Sequence, residues 1–120
     1  MSLSKEQIVS CNDVKTKKVE VPEWGGHCYV RLMTAGARDE WETLAIRSRI
    51  NDDPSKATLK GLRSMLVALT LCDETGDLVF SKNDLSSIEK KSSSALDRVI
   101  EAAQILNGLT GESVEEQKKS

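Results

Sequence analysis

The sequence is poor in aromatic residues and contains no long hydrophobic run. It contains only two Trp, one Tyr and one Phe. The core must therefore consist mostly of Leu, Ile, Val and Ala, a composition that suits packed helices. No apolar run approaches the roughly 20 residues of a membrane-spanning helix, and the N-terminal residues lack the apolar segment of a signal peptide. We therefore expect the protein to stay in the cytosol in which it is made.

Cysteine and histidine are also scarce. Cys11, Cys28 and Cys72 are odd in number and widely spaced, which fits neither a disulfide framework nor paired metal knuckles. We expect reduced thiols. The single histidine, His27, precedes Cys28, but adjacent strand residues point to opposite faces of a sheet. A shared metal or a Cys–His catalytic site is therefore not expected.

The sequence has neither a large excess of one charge sign nor a recognisable catalytic motif. The formal net charge is −2, so no basic field attracts nucleic acid or anionic lipid. The glycines form neither a dinucleotide fingerprint nor a phosphate loop, no GxSxG occurs, and no acid/base pair of carboxylates is recognisable. The sequence predicts a protein that is not an enzyme and needs no cofactor or metal.

What remains is an ordinary globular composition, 38% hydrophobic and 30% charged over 120 residues. This length favours one domain with a modest core, which we expect over residues 1–109. Residues 110–120 contain only one aliphatic residue, Val114, and predict a disordered polar tail.

Alternating side chains predict a β-hairpin over about residues 15–33. Val19 and Val21 alternate with charged residues, and the segment after the glycine pair alternates again. Helices must cover one face, because an isolated hairpin is marginally stable. Trp24, just before the turn, either caps the hairpin or contacts a partner.

Helical patterns and caps fill most of the remaining chain. Ser4 with Gln7 has the spacing of a capping box at the start of a short helix, and Thr34 can cap a second helix. A third helix is predicted over residues 55–73, apolar almost all round in its second half and therefore central. Residues 78–80 form a short apolar strand or extended segment, which either joins the hairpin or covers the helices.

The last helix has the clearest periodicity. Its apolar stripe is formed by Leu96, Val99, Ile100, Ala103 and Leu106. Ser81 with Asp84 begins the helical segment before it, and Asn107–Gly108 ends the last helix. The predicted fold is α+β: a mostly helical small domain with one β-hairpin packed on a helical layer.

Two segments resemble a known family. One is VEVPEWGGHCYVRLMTAGARDEWE, residues 19–42, and the other is DLVFSKNDLSSIEKKSSSALDRVIEAAQILNGL, residues 77–109. In this order and at this length they resemble the tail assembly chaperones of long-tailed bacteriophages. The likeness rests on these residues: Pro22, Glu23, Trp24, Gly25, Thr34, Arg38, Asp39, Phe80, Asp84, Leu96, Asn107 and Gly108.

The resemblance implies a non-catalytic binding function. Such proteins bind the tape measure protein, keep it soluble while the tail tube polymerises, act in the host cytoplasm and are absent from the mature virion. Candidate partner-binding residues are Trp24, Leu106 and Leu109, with the helix over residues 55–73 as a further surface, and the protein is expected to be a homo-oligomer. The alternative is that both apolar stripes are used entirely within the core.

The resemblance also implies a second, longer product of ribosomal frameshifting, whose extension recruits the tail-tube subunit. The codons of Gln117, Lys118 and Lys119 could form the adenine-rich slippery run. Two other functions stay open: a head–tail connector or tail-completion protein of the virion and, disfavoured by the charge balance, a small nucleic-acid-binding regulator.

Overall fold

The structure, a computed structural model, describes residues 2–50 and 61–109, without the side chains of residues 48–50. The regular elements follow in chain order: α1 (Lys5–Ser10), β1 (Thr16–Val21), β2 (Gly26–Arg31), α2 (Ala35–Ile50), α3 (Leu62–Thr70), β3 (Leu71–Cys72), α4 (Leu85–Glu89) and α5 (Ser93–Asn107). Short 3-10 turns occupy Pro22–Trp24 and Lys82–Asp84. The predicted α+β fold, mostly helical with a hairpin, is confirmed. The predicted tail over residues 110–120 lies outside the described residues.

The sheet contains the predicted hairpin and one additional strand. β1 and β2 are antiparallel, with Val19 opposite Cys28. β3 extends the sheet on the other side of β2, with Val30 opposite Leu71, which gives the order β1-β2-β3. Leu78 adds a single bridge to Cys72.

The predicted boundary of the third helix is wrong at its C-terminal end. The described part of this helix begins at Leu62 and ends at Thr70, and Leu71 has extended backbone angles. Residues 55–60 of the prediction lie outside the described residues. A short apolar run at the end of a helix fits a buried strand equally well, because both conformations place it in the core. Here β2 pairs with these two residues, and that long-range contact determines their conformation.

The core lies between the hairpin and two helices, α3 and α5, which pack against each other. Val21, Val30, Val67 and Val99 are completely buried there. The apolar second half of α3 is buried from Leu66 to Thr70, so its predicted central position is confirmed. No helix within the described ranges is both long and apolar enough to cross a membrane.

The predicted caps are present. Ser4 and Gln7 form a reciprocal capping box, and the Thr34 hydroxyl accepts a 3.2 Å hydrogen bond from the Ala37 amide. Ser92, in the serine run before α5, accepts from the Ala95 amide at 3.2 Å. At the other end of α5, Gly108 takes the left-handed conformation with φ 65°, which favours glycine. These local signals set the ends of the helices that position the site.

Candidate interaction surface

Trp24 lies in a hydrogen-bonded 3-10 turn at the end of the hairpin. Pro22 begins the 3-10 turn, and Gly25 closes it in the left-handed conformation with φ 74°. The Gly25 amide donates a 2.9 Å hydrogen bond to the Pro22 carbonyl. Trp24 nevertheless remains 40% exposed. The turn therefore exposes a large apolar side chain to solvent, while a hydrogen bond holds the turn backbone.

An ion pair fixes this turn against α5. The Arg98 Nε donates to both carboxylate oxygens of Glu23, at 2.8 and 3.0 Å. The pKa of Glu23 is lowered, first by a hydrogen bond from its own backbone amide and then by Arg98. Because both side chains are near water, this pair contributes orientation more than stability.

Trp24 forms one edge of an apolar pocket of about 330 Å³, which we call the turn-end pocket. The rest of its lining comes from five residues outside the turn: Val67, Phe80, Ile88, Lys91 and Leu96. Ile88 and Val67 are buried and form its base, whereas Phe80 is only partly buried. The volume lies at the lower end of the range for ligand sites, roughly 300–1,000 Å³. The turn-end pocket therefore fits one or two apolar side chains of a partner.

Lys91 gives the turn-end pocket a positive rim. No carboxylate of the described residues lies within ion-pair distance of its ammonium. Two arginines of the neighbouring helices are paired, Arg98 with Glu23 and Arg63 with Asp97. The electrostatics therefore favour an apolar partner segment that carries a carboxylate.

At the opposite end of α5, hydrogen bonds around Asn107 connect the helix to other parts of the chain, beside a pocket of about 380 Å³. Its side-chain oxygen accepts from the Met33 amide at 2.8 Å, and its amide nitrogen donates to the Arg31 carbonyl at 3.3 Å. The guanidinium of Arg38 donates to the Asn107 carbonyl at 3.0 Å. We call this group of four residues the Asn107 clamp. It joins α5 to the end of β2 and the start of α2.

The structure separates the three predicted partner-binding residues. Trp24 lies at the turn-end pocket, whereas Leu106 and Leu109 are partly buried against the core beside the Asn107 clamp. Ten residues of helix, about 15 Å, lie between Leu96 in the turn-end pocket and Leu106. Partner binding by these three residues stays a prediction, and the structure places Trp24 at one end of α5 and Leu106 and Leu109 at the other.

Sequence reasoning missed two residues of the turn-end pocket and the role of the clamp. Ile88 and Lys91 carry no periodic signal that distinguishes a pocket from a core or a solvated face. Asn107 was interpreted only as the end of a helix, but its side chain bridges residues more than 70 positions away. No local sequence pattern indicates a contact between residues so far apart in the chain.

Several of the residues that carry the family resemblance lie at these two ends. Trp24, Phe80 and Leu96 line the turn-end pocket. Thr34 caps α2, and Arg38 and Asn107 meet in the clamp. These residues therefore lie at two structural features, the turn-end pocket and the Asn107 clamp.

The thiols and the imidazole do not line the turn-end pocket and are not members of the Asn107 clamp. Cys11 is exposed, Cys28 is half-buried and Cys72 is buried. Burial raises the pKa of the Cys28 and Cys72 thiols above the ordinary value. The His27 ring contacts Tyr29 edge-on at 5.7 Å, on the face of β2 opposite Cys28. Within residues 2–50 and 61–109, no cluster of three or more His, Cys, Asp or Glu could hold a metal ion.

Comparison with known proteins identifies the family. A family model described as phage tail assembly chaperone matches residues 5–120. The chain belongs to this family. The resemblance described above is confirmed, and the family's role is that of a bacteriophage chaperone in tail assembly rather than of an enzyme.

A solved tail assembly chaperone has the same fold. The structure of the bacteriophage HK97 tail assembly chaperone matches with a TM-score of 0.59 and 20% identity, over 84% of this chain and 90% of that chain. At this identity the likeness concerns the fold alone. No curated protein matches the sequence.

Proposed function

We propose that this tail assembly chaperone binds the tape measure protein and keeps it soluble while the tail tube assembles. Family membership supports a chaperone function, and the turn-end pocket with its exposed Trp24 is the observation that carries the proposal. A long helical protein with apolar stripes aggregates unless those stripes are covered. An amphipathic helix presents its apolar side chains at a spacing that such pockets recognise.

Each copy would cover only one or two side chains of its client. Stable protection of a long protein then requires many copies bound along it, so that weak contacts add through high effective concentration. We propose that this occurs in the host cytoplasm and that the chaperone is absent from the mature virion. A longer frameshifted product would recruit the tail-tube subunit. The codons proposed for the frameshift belong to residues 117–119, outside the described residues.

Co-expression with the tape measure protein of the same phage tests the proposal. The chaperone, carrying an affinity tag, should shift the tape measure protein from the pellet to the soluble fraction and co-purify with it. A matched culture expressing the tape measure protein alone sets the baseline. If the tape measure protein stays insoluble and nothing co-purifies, tape measure binding is wrong.

Mass spectrometry of purified phage particles separates this function from its first rival. A chaperone should be absent from particles or present far below the major tail proteins. A head–tail connector or tail-completion protein should be present in a fixed ratio to the portal or tail tube. Detection in such a ratio would replace the chaperone function with a structural one.

A further inference from the structure

The turn-end pocket adjoins a second cavity, which we call the side cavity. The side cavity has a volume of about 210 Å³ and shares Lys91 and Leu96 with the turn-end pocket. The rest of its lining is mostly polar and comes from Gly61, Arg63, Ser64, Glu89 and Ser93. Lys91 therefore lies where an apolar cavity meets a polar one.

The backbone of Lys91 is held between two helices. Its amide donates a 3.0 Å hydrogen bond to the Ile88 carbonyl in α4, and the next residue, Ser92, is the N-cap of α5. These contacts fix the position of Lys91 at the junction of the two cavities. Its side chain is exposed, so a bound partner can reach the ammonium group.

The ammonium group of Lys91 has no anionic partner among the described residues. The lining of the two cavities contains one other described cation, Arg63, and this arginine is paired with Asp97. Glu89 is the only carboxylate in that described lining, and no ion pair joins it to Lys91. An acidic group of a partner is therefore the complement that this junction lacks.

The lining of the turn-end pocket favours a helical partner segment over an extended one. Strand addition needs the backbone edge of a sheet, but none of the described residues that line this pocket belongs to a strand. The lining is formed by side chains from α3, α4, α5 and the connecting segments. A pocket of this kind accepts side chains, which an amphipathic helix presents from one face at fixed spacing.

We propose that the turn-end pocket selects a helical client segment in which a carboxylate lies one turn from the apolar side chain that enters the pocket. Lys91 is the specificity-determining residue that recognises this carboxylate. Side chains three or four positions apart on a helix have Cβ atoms about 5–6 Å apart, so an acid at this spacing lies at the pocket rim. That the client is the tape measure protein rests on the proposed function, whereas the preference for an acid rests on the pocket.

Three synthetic helical peptides test this preference without any natural client. Each carries one leucine on a helix of alanine and glutamine, and the peptides differ only at the position four residues from the leucine, which is Glu, Gln or Lys. Nuclear magnetic resonance titration of the isotope-labelled full chain, following the amide signals of the pocket residues and the Trp24 indole, gives the affinities. The Glu peptide should bind roughly fivefold tighter than the Gln peptide, the size expected of an exposed ion pair. The Lys peptide should bind more weakly than both.

Variants at Lys91 test whether this residue is the source of the preference. Lys91→Met removes the charge and keeps most of the aliphatic stem, so the Glu and Gln peptides should bind alike. Lys91→Glu should reverse the order, with the Lys peptide bound tightest. Lys90→Met is the matched control, because Lys90 is the adjacent lysine and lines neither cavity. It should retain the wild-type order and ratio.

Trp24→Ala and Ile105→Ala separate the apolar contact from the charge. Trp24 forms one edge of the turn-end pocket, so its truncation should weaken all three peptides. Ile105 is 56% exposed on α5 and lines neither cavity, so its truncation should leave all three affinities unchanged. The ratio between the Glu and Gln peptides should survive in both variants, because both retain Lys91. Circular dichroism of every variant should show wild-type helix content.

The preference for an acid is wrong if the Glu and Gln peptides bind the wild type equally, if Lys91→Met keeps their ratio, or if no peptide shifts the pocket signals. Its failure differs from a failure of the proposed function. A tape measure protein that co-purifies equally with the wild type and with Lys91→Glu would retain the function and reject the preference. Peptide selectivity without any co-purification of the tape measure protein would retain the preference and reject that client.

Discussion

The two ends of this small domain differ in how they are held together, although each has a pocket, of about 380 Å³ at the clamp end and about 330 Å³ at the turn end. At the clamp end, the Asn107 side chain and carbonyl meet the backbone of β2 and the guanidinium of Arg38. At the turn end, one exposed ion pair holds the hairpin turn, and the apolar turn-end pocket stays open beside it. The same helix, α5, contributes to both.

The contrast separates stability from recognition. At the clamp, hydrogen bonds from one side chain to the backbone of distant residues define one geometry. An open apolar pocket is different, because its surface stabilises a complex only when a partner covers it. We therefore expect substitutions at the clamp to change the free energy of unfolding and substitutions at the turn-end pocket to change binding.

Among the variants, Trp24→Ala should have the largest effect, which is a loss of affinity for the tape measure protein. A buried tryptophan at the centre of an interface contributes about 2 kcal/mol or more, roughly 30-fold in affinity. Co-purification with the tape measure protein, measured against the soluble folded fraction, should fall accordingly. Ile105→Ala should leave it unchanged. Equal co-purification by both variants would remove the turn-end pocket from the proposed client site.

Asn107→Ala should cost about 1–3 kcal/mol of unfolding free energy, because it leaves the Met33 amide without its acceptor. Urea denaturation measures this change. Asn107→Asp keeps the oxygen acceptor for the Met33 amide but places an anionic oxygen against the Arg31 and Ala103 carbonyls, so its loss should be at least as large. Client binding by the folded fraction should be unchanged in both. A loss of binding here would mean that the two ends are coupled.

Leu106→Ala and Leu109→Ala sharpen the comparison, since both residues were predicted to bind a partner. Each is partly buried against the core, so each substitution should cost about 1 kcal/mol of unfolding free energy. Thermal denaturation and the same co-purification assay measure the two effects together. Reduced binding with unchanged stability would place these two residues on the partner-binding surface.

The smallest effect concerns the pH dependence of the turn. Glu23 has a folded-state pKa below its ordinary value of 4.5, so its stabilising contribution is present above that value. It is lost as the pH falls through the lowered pKa. Glu23→Gln should therefore flatten the acid limb of a plot of urea midpoint against pH, whereas Glu101→Gln on α5 should not. An unchanged acid limb would show that the carboxylate of Glu23 has no part in holding the turn.

Much of the fold was predictable because its signals are local. The alternation around Val19, the cap at Thr34 and the glycine after α5 each act through neighbours within a few residues. The strand at Leu71–Cys72 was not predictable, since its conformation depends on pairing with β2, about 40 residues earlier. For the site, Trp24 was a candidate because it lies just before the glycine turn, but Ile88 and Lys91 were not candidates.

The sequence by itself determined the elements, their caps, the core composition and, through its resemblance, the chaperone family. Only the tertiary structure decided that Trp24 edges an open pocket while Leu106 and Leu109 lie against the core at the other end of α5. The physical reason is that periodicity defines which face of an element is apolar, but not how completely other elements cover it. That coverage depends on contacts between distant residues, as at Asn107 and in the turn-end pocket.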